Sequence, residues 1–305
     1  MKSYGICPAS CGEFVQGFLD KEEYLSSYAI DMFSIATLEE KKEIDLGPKK
    51  SRKAIEKVFE KFNIPLEESK NIWSINISLN LKSDIPVGKG MASSTADIGA
   101  TIKATLSILN KNLNDEEISF MASEIEPTDS IILYENSIFN PVNGTVKKYL
   151  SSIDNGRVII LEPDEILETK IIRSNPNYLN IKLENKSIIN KSFDLLEKGL
   201  KNNDLKLIGE ACTLSAIANE NIHKKPYLNE VIEISQSMNA YGVNIAHSGT
   251  VVGILIDENM DYEKIINHLK NQPLSDYYKK IHLANIIGHE KREELEWNML
   301  KTLKW

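Results

Sequence analysis

The stretch Pro86-Val-Gly-Lys-Gly-Met-Ala-Ser-Ser-Thr-Ala96 restricts the fold of this chain more than any other part of it. Two glycines, a lysine and a run of hydroxyls stand between a strand pattern and a helix pattern. Upstream, Ile75, Ile77, Leu79 and Leu81 alternate with Asn76, Ser78 and Asn80, the period of a half-buried strand. Downstream, Ile98, Ile102, Leu106 and Leu109 fall on one helical stripe, with Ala100 and Ala104 beside it. Gly88 and Gly90 permit positive φ and a close approach of backbone to ligand. The helix that follows aims its free N–H groups and the positive end of its dipole back at the loop. Such a junction is an anion site, most often for phosphate, and predicts a protein that handles a nucleoside triphosphate. The backbone from Gly88 through Lys89, Gly90, Met91, Ala92 and Ser93 to Ser94 is expected to carry the phosphates. Pro86 stands at the mouth of the loop and Thr95 in the first helical turn. Ser93, Ser94 and Thr95 occupy the junction, where hydroxyls cap helices.

The loop is neither of two common phosphate loops. A P-loop needs G-x-x-x-x-G-K-[ST], but Met91 and Ala92 follow Gly88-Lys89-Gly90. A dinucleotide fingerprint needs a third glycine where Ser93 stands. The order Pro-x-Gly-x-Gly-x-x-Ser-Ser-x-Ala instead resembles the second motif of the GHMP small-molecule kinases. Cys7-Pro-Ala-Ser-Cys-Gly-Glu-Phe-Val-Gln-Gly17 lies where that family has its first motif, beside the acceptor. Asn244-Ile-Ala-His-Ser-Gly-Thr-Val-Val-Gly-Ile-Leu255 resembles the third, a small-residue turn that closes over the phosphates. The wording of the first and third segments is most similar to the branch that phosphorylates the threonine hydroxyl for the aminopropanol phosphate linker of cobalamin. Residues 40–70 and the last fifth of the chain carry no motif.

The resemblance implies an α+β chain in two parts. Residues 1–180 would form a ribosomal-S5-like N-terminal domain with the loop 86–96. Residues 181–305 would form a ferredoxin-like C-terminal domain with the turn 246–253. The site would lie in the cleft between them. The patterns agree with mixed α and β structure. Residues 51–62 form an amphipathic helix pattern. Residues 115–126 form another, with Asn114 as N-cap, Glu117 at capping-box spacing and Pro127 as its stop. Arg157–Leu161 and Thr169–Arg173 are strand-like, helical patterns dominate 186–240, and Gly242–Asp257 is strand–turn–strand. Asp261–Lys270 is a further helix, and Pro141-Val-Asn-Gly144 a turn.

Composition excludes several classes. A net charge of −8 over 305 residues argues against a general nucleic-acid binder. Four arginines (Arg52, Arg157, Arg173, Arg292) leave no arginine-rich phosphate clamp. Three cysteines make no disulfide framework. Cys7 and Cys11 have no second pair nearby to complete a zinc site. No apolar run reaches membrane length and no signal peptide is present, so a cytoplasmic protein is expected. A homodimer is compatible with this reading.

Phosphoryl transfer needs the triphosphate and metal held, the acceptor hydroxyl in line, and charge and a proton managed. ATP and Mg²⁺ are the expected cofactors. Lys89 is either a point charge on the phosphates or a solvated loop lysine. Family position gives Ser94 a hydroxyl on Mg²⁺, a role compatible with capping. In Ser123-Glu-Ile-Glu-Pro-Thr-Asp-Ser130, the resemblance makes Glu126 the metal ligand, Glu124 its reserve and Asp129 the base. Several family members have a longer Ser-Gly-x-Asp segment here, so Asp129 either takes the proton or orients the hydroxyl. An amino-acid acceptor carries an ammonium, for which Glu13 is the candidate, the alternative being a surface salt bridge. Gln16 offers a neutral hydrogen bond, and Ser10 would sit near the transferred phosphate. In the third motif Ser248 and Gly249 present N–H groups to an anion. His247 and Thr250 are candidate substrate contacts, His247 with a structural alternative. L-Threonine is the expected acceptor, with homoserine or another small alcohol as the rival and a ligand-binding sensor of the same fold as the non-enzyme reading.

Overall fold

The computed structural model describes residues 1–41, 45–64, 66–67, 72–73, 77–153, 155–167 and 177–304. Ile75, Asn76 and the expected strand Thr169–Arg173 lie outside the described residues. The chain opens with strands β1 Lys2–Ala9, β2 Glu13–Leu19, β3 Glu22–Ser27 and β4 Ile30–Glu40, then helix α1 Lys49–Lys61. Short strands β5 Leu66–Glu67 and β6 Ile72–Trp73 precede β7 Ile77–Ser83, α2 Ser93–Ile108 and α3 Asp115–Ser123. Next come β8 Ser137–Asn140, β9 Thr145–Tyr149 and β10 Gly156–Glu162. Helices α4 Tyr178–Glu184, α5 Lys186–Asn202, α6 Leu205–Asn219 and α7 Leu228–Ser237 form a run. The chain ends with β11 Gly242–Ile245, β12 Val252–Asp257, α8 Tyr262–Lys270, β13 Lys280–Asn285 and α9 His289–Lys304. This is the expected α+β composition.

A three-stranded sheet, β1-β4-β7, is antiparallel throughout. Helix α2 lies across it, tied by Ser3 Oγ donating to Ala104 O at 2.8 Å. The alternating apolar residues of β4 and β7 and the stripe of α2 meet there, with Leu38, Ile77, Ile98 and Ile102 inaccessible to solvent. An eight-stranded sheet has the order β13-β10-β12-β11-β2-β3-β8-β9. Its two halves meet where β11 pairs with β2, Ile245 opposite Glu13. That seam puts Glu13 beside the third motif. Strand β10 precedes residue 180 yet pairs with β12 and β13, so the sheet does not divide at the expected boundary.

Local chemistry explains the element ends. Asn114 and Glu117 form a reciprocal capping box at the start of α3. That helix stops at Ser123, before the expected end near Pro127. Ile125 N and Glu126 N both turn back to Ala122 O, tightening the last turn and swinging Glu126 off the helix axis. Helix α9, from the part of the chain without motifs, packs back on the first half. Its Arg292 is 1% exposed and donates to the carbonyls of Ile131 and Leu133, both at 2.8 Å, and to Glu296 at 2.8 Å. The rarest cation in the sequence is therefore a structural clamp.

Candidate active site

The three sequence motifs converge through their backbones. Ser10 N donates to Met91 O at 3.2 Å and Gly12 N to Gly90 O at 3.2 Å. Thr250 N and Val251 N both donate to Lys89 O, at 2.8 and 3.1 Å. Gly88 and Gly90 have φ of 72° and 83°, as the loop pattern predicts. A Cβ on Gly249 would fall 2.3 Å from Gly90 Cα, so the loop and the third motif touch with no room for a side chain. These bonds occupy the loop carbonyls. The N–H groups from Gly88 to Ser94 donate to no acceptor among the described residues, and they face the start of α2. The loop therefore presents an unpaired set of donors at a positive helix end, which suits an anion.

The residues flanking these donors divide into those the sequence placed well and those it did not. Ala92, in the left-handed region at φ 57°, is the N-cap of α2. Ser93 and Ser94 thus lie inside the first turn and do not cap it, contrary to the expectation. Met91 is fully buried and serves the core, leaving only its backbone to the loop. Pro86 is half-buried at the loop mouth. Lys89 differs from both of its expected roles. Its ammonium donates to the carbonyls of Pro163, Asp164 and Glu165 at 2.6, 2.8 and 2.8 Å. Those three acceptors match its three protons, so it anchors the segment after β10 and does not reach the phosphates. Thr95 points beneath the helix, where Thr128 Oγ1 donates to it at 3.0 Å and Asp129 N at 3.3 Å, so it positions Asp129.

Ser94 Oγ donates to Glu126 Oε1, the pairing expected of two metal ligands. Lys50 of α1, absent from the sequence argument, sits 2.9 Å from Ser94 Oγ and 2.5 Å from Glu126 Oε2. An ammonium occupies the point where hydroxyl and carboxylate together favour a cation. One carboxylate and one hydroxyl, with phosphate oxygens and water, suit Mg²⁺. Glu124 does not join them. Its carboxylate pairs with Lys57 of α1 at 3.0 Å, on the other side of the helix end, because α3 has already closed at Ser123.

Behind the loop lies a carboxyl pair. Asp129 is half-buried and within hydrogen-bonding reach of Glu13. Burial, the Glu13 carboxylate and then Glu126 push the Asp129 carboxyl up to about 8. Glu13 is 5% exposed, which removes the surface salt-bridge alternative. Its Oε2 accepts from His247 N at 3.0 Å and from His247 Nδ1 at 2.9 Å. His247 Nε2 lies 2.9 Å from Ser215 Oγ, which accepts from Gln16 N at 3.2 Å. Nδ1 faces a carboxylate oxygen and so carries a proton, which in the neutral imidazole leaves Nε2 to accept from Ser215 Oγ. Burial lowers the His247 pKa in the same sense. His247 thus acts on Glu13.

Three other expected substrate residues fare differently. The Gln16 amide donates to Glu23 at 2.6 Å, beside the buried Lys182–Glu23 ion pair at 2.5 Å, so it faces a second polar cluster. Thr250 Oγ1 donates to Glu165 O at 3.2 Å, which holds the same segment as Lys89 and withdraws the hydroxyl from substrate. Ser10 stays a candidate: it is 1% exposed with an unpartnered Oγ, next to Met91. Gly249 N donates to Ala246 O at 3.2 Å, closing the turn it shares with Ser248. Sequence reasoning takes His223 for an ordinary histidine without ligand spacing, yet burial lowers its pKa to about 4 and its partner is the Gly249 backbone. That reasoning missed Lys225 as well. Both sit in a loop between helix patterns, where no period marks an inward side chain. Cys7 and Cys11 are buried thiols pushed up to about 11 and about 12, which suits core packing.

The sequence compares with known proteins along most of its length. The family described as GHMP kinases N terminal domain matches residues 50–134, and GHMP kinases C terminal matches residues 196–275. L-threonine kinase of Salmonella typhimurium is 31% identical over 283 residues, covering 92% of each chain. L-threonine kinase of Citrobacter freundii is 28% identical, covering 92% of this chain and 96% of that one. The crystal structure of homoserine kinase from Cytophaga hutchinsonii superposes with a TM-score of 0.66 at 20% identity, covering 93% of this chain and 95% of that one. With three converging motifs, two matching domains and relatives aligned nearly end to end, the chain belongs to the GHMP kinase family.

Proposed function

We propose that this chain is an ATP:L-threonine O-3-phosphotransferase, serving the threonine-derived linker of cobalamin. The observation that carries the reading is the joining of the three motifs around free loop amides, with a buried carboxyl pair alongside. The L-threonine kinase relatives supply the acceptor. The N–H groups from Gly88 to Ser94 orient the phosphates of ATP and stabilise charge that builds on them, while the Ser248-Gly249 turn, its Gly249 N–H spent on Ala246 O and not free for an anion as expected, packs against the loop. Ser94 and Glu126 would hold Mg²⁺, which neutralises phosphate charge when bound. Lys50, which stands on both side chains, would have to give way for the cation to bind there. Glu13, fixed by His247, takes the acceptor's ammonium. That positive charge lowers the Asp129 pKa from its raised resting value, so Asp129 becomes an ionised acceptor for the hydroxyl proton as the substrate binds. Ser10 lies against the loop on the side of the transferred group. Two parts, residues 1–180 and 181–305, flank the cleft, with β10 lent to the sheet of the second. The supply of ATP and free threonine places the enzyme in the cytoplasm. Among the described residues no helix is long and apolar enough to cross a membrane.

The test is ADP release with Mg-ATP against L-threonine, L-serine, L-homoserine and several sugars and isoprenoid alcohols. Preference for L-threonine is expected. Preference for another alcohol would keep the family and replace the acceptor. ATP binding without turnover of any would favour a sensor.

A further inference from the structure

The loop joining α6 to α7 buries a charge that no neighbour balances directly. Lys225 is 1% exposed, and its Nζ has no hydrogen-bond partner among the described residues. An ammonium out of water without a partner is costly, and here burial lowers its pKa to about 7. Its position is not an accident of a loose side chain. Lys225 N donates to Glu220 Oε1 at 2.7 Å, Leu228 N donates to Lys225 O at 3.2 Å, and Tyr278 Oη donates to Pro226 O at 2.7 Å. Tyr227 turns the chain into α7 through φ 62°. The backbone is held on every side while the ammonium is left open.

Its surroundings say what it awaits. The charged and titratable groups in its field are Glu13 of β2, Glu220 at the end of α6, Glu165 after β10, His223 of its own loop and His247 after β11. Glu13 and His247 belong to the carboxyl pair's cluster. Among those groups Glu13 is the strongest attraction on Lys225, and the same Glu13 faces Asp129. The phosphates already have loop amides and a helix end. An amino acid bound to Glu13 through its ammonium brings a carboxylate that needs a cation, and among the described residues no other unpaired buried one stands near Glu13.

We propose that Lys225 receives the acceptor's α-carboxylate opposite the Glu13–Asp129 pair, so that it selects amino-acid acceptors over amino alcohols. This rests on the reading of the chain as an amino-acid kinase. The two charges fix the acceptor at both ends and leave only its side-chain hydroxyl free to face the phosphates.

The test compares kcat/KM for L-threonine with that for (R)-1-aminopropan-2-ol, which keeps the hydroxyl and ammonium and lacks the carboxylate. Wild type, K225M and K225R are measured with each. K225M removes a buried charge at nearly constant volume and is expected to melt no lower than wild type. Its kcat/KM for L-threonine should fall on the order of a hundredfold, mainly through KM, while the KM for ATP holds. The amino alcohol should lose little, so the preference collapses. K225R should recover part of it. An unchanged preference with kcat reduced on both acceptors would overturn the proposal and place the ammonium on the transferred phosphoryl group. An unchanged preference with altered melting alone would overturn it in favour of a structural role. Should wild type not turn over L-threonine, the functional reading fails. The same variants with L-homoserine and 3-aminopropan-1-ol then decide the role of Lys225 separately.

Discussion

Asp129 and Glu13 tie stability to chemistry. The Asp129 carboxyl titrates near 4 in an unfolded chain and at about 8 in the folded one. The native state therefore holds a proton that the unfolded state releases between those values. The stabilisation is complete below the lower pKa and is lost as pH rises through the upper one. Asp129→Asn removes this dependence. Its melting temperature should rise relative to wild type as pH goes from 6 to 9, by about 2–4 °C for each kcal/mol relieved. Its turnover should fall by about 10²–10⁴. A melting difference independent of pH would mean that the folded state does not hold the Asp129 carboxyl protonated. Glu126→Gln should raise the Mg²⁺ concentration for half-maximal rate by about tenfold or more, and Glu124→Gln should leave it unmoved. Equal effects would return Glu124 to the metal. That Ser94 would stand with Glu126, and Glu13 near Asp129, was legible because their motifs fix where they stand. Lys89 and Lys225 were not. A loop lysine has the same letters whether its ammonium meets a ligand or carbonyls far along the chain, as Lys89 does at Pro163.

The glycine loop 86–96 packs as one half of a pair with the turn after β11. Gly90 and Gly249 meet backbone to backbone, and any Cβ on Gly249 also falls 2.4 Å from Lys89 O. Gly249→Ala should push the two apart, raising the KM for ATP by about tenfold or more and lowering the melting temperature. An unchanged KM for ATP would show that the turn does not shape the phosphate site. The pattern of strand, loop and helix around residues 77–108 follows from alternation and a 3.6-residue stripe, and the capping box of α3 is explicit in Asn114 and Glu117. The end of α3 is not explicit. Proline forbids helix at its predecessor but does not require helix up to it, and tight bonds to Ala122 O end the regular turn sooner. That early end separates Glu126 from Glu124.

The eight-stranded sheet takes strands from both ends of the chain, and one strand pairing, β11 with β2, carries the site's seam. Mixed α and β structure was legible from the two periodicities, but strand order was not, since alternation shows a buried face and says nothing of the neighbour across it. The role of α9 was equally hidden, because its packing depends on Arg292 reaching carbonyls of residues 131–133. Arg292→Met should destabilise the fold by about 3 kcal/mol, by stranding those carbonyls and leaving the buried Glu296 to Tyr134 and Lys103 alone. KM values for ATP and acceptor should hold at temperatures where the variant is folded. A loss of acceptor affinity without a loss of stability would move Arg292 into the site. The whole arrangement serves transfer of a phosphoryl group to one amino-acid hydroxyl. The most direct check is a competition of equal L-threonine and L-homoserine for limiting Mg-ATP, with the products identified by phosphorus NMR. O-phospho-L-threonine as the dominant product is expected, and dominance of O-phospho-L-homoserine would contradict the assignment of the acceptor.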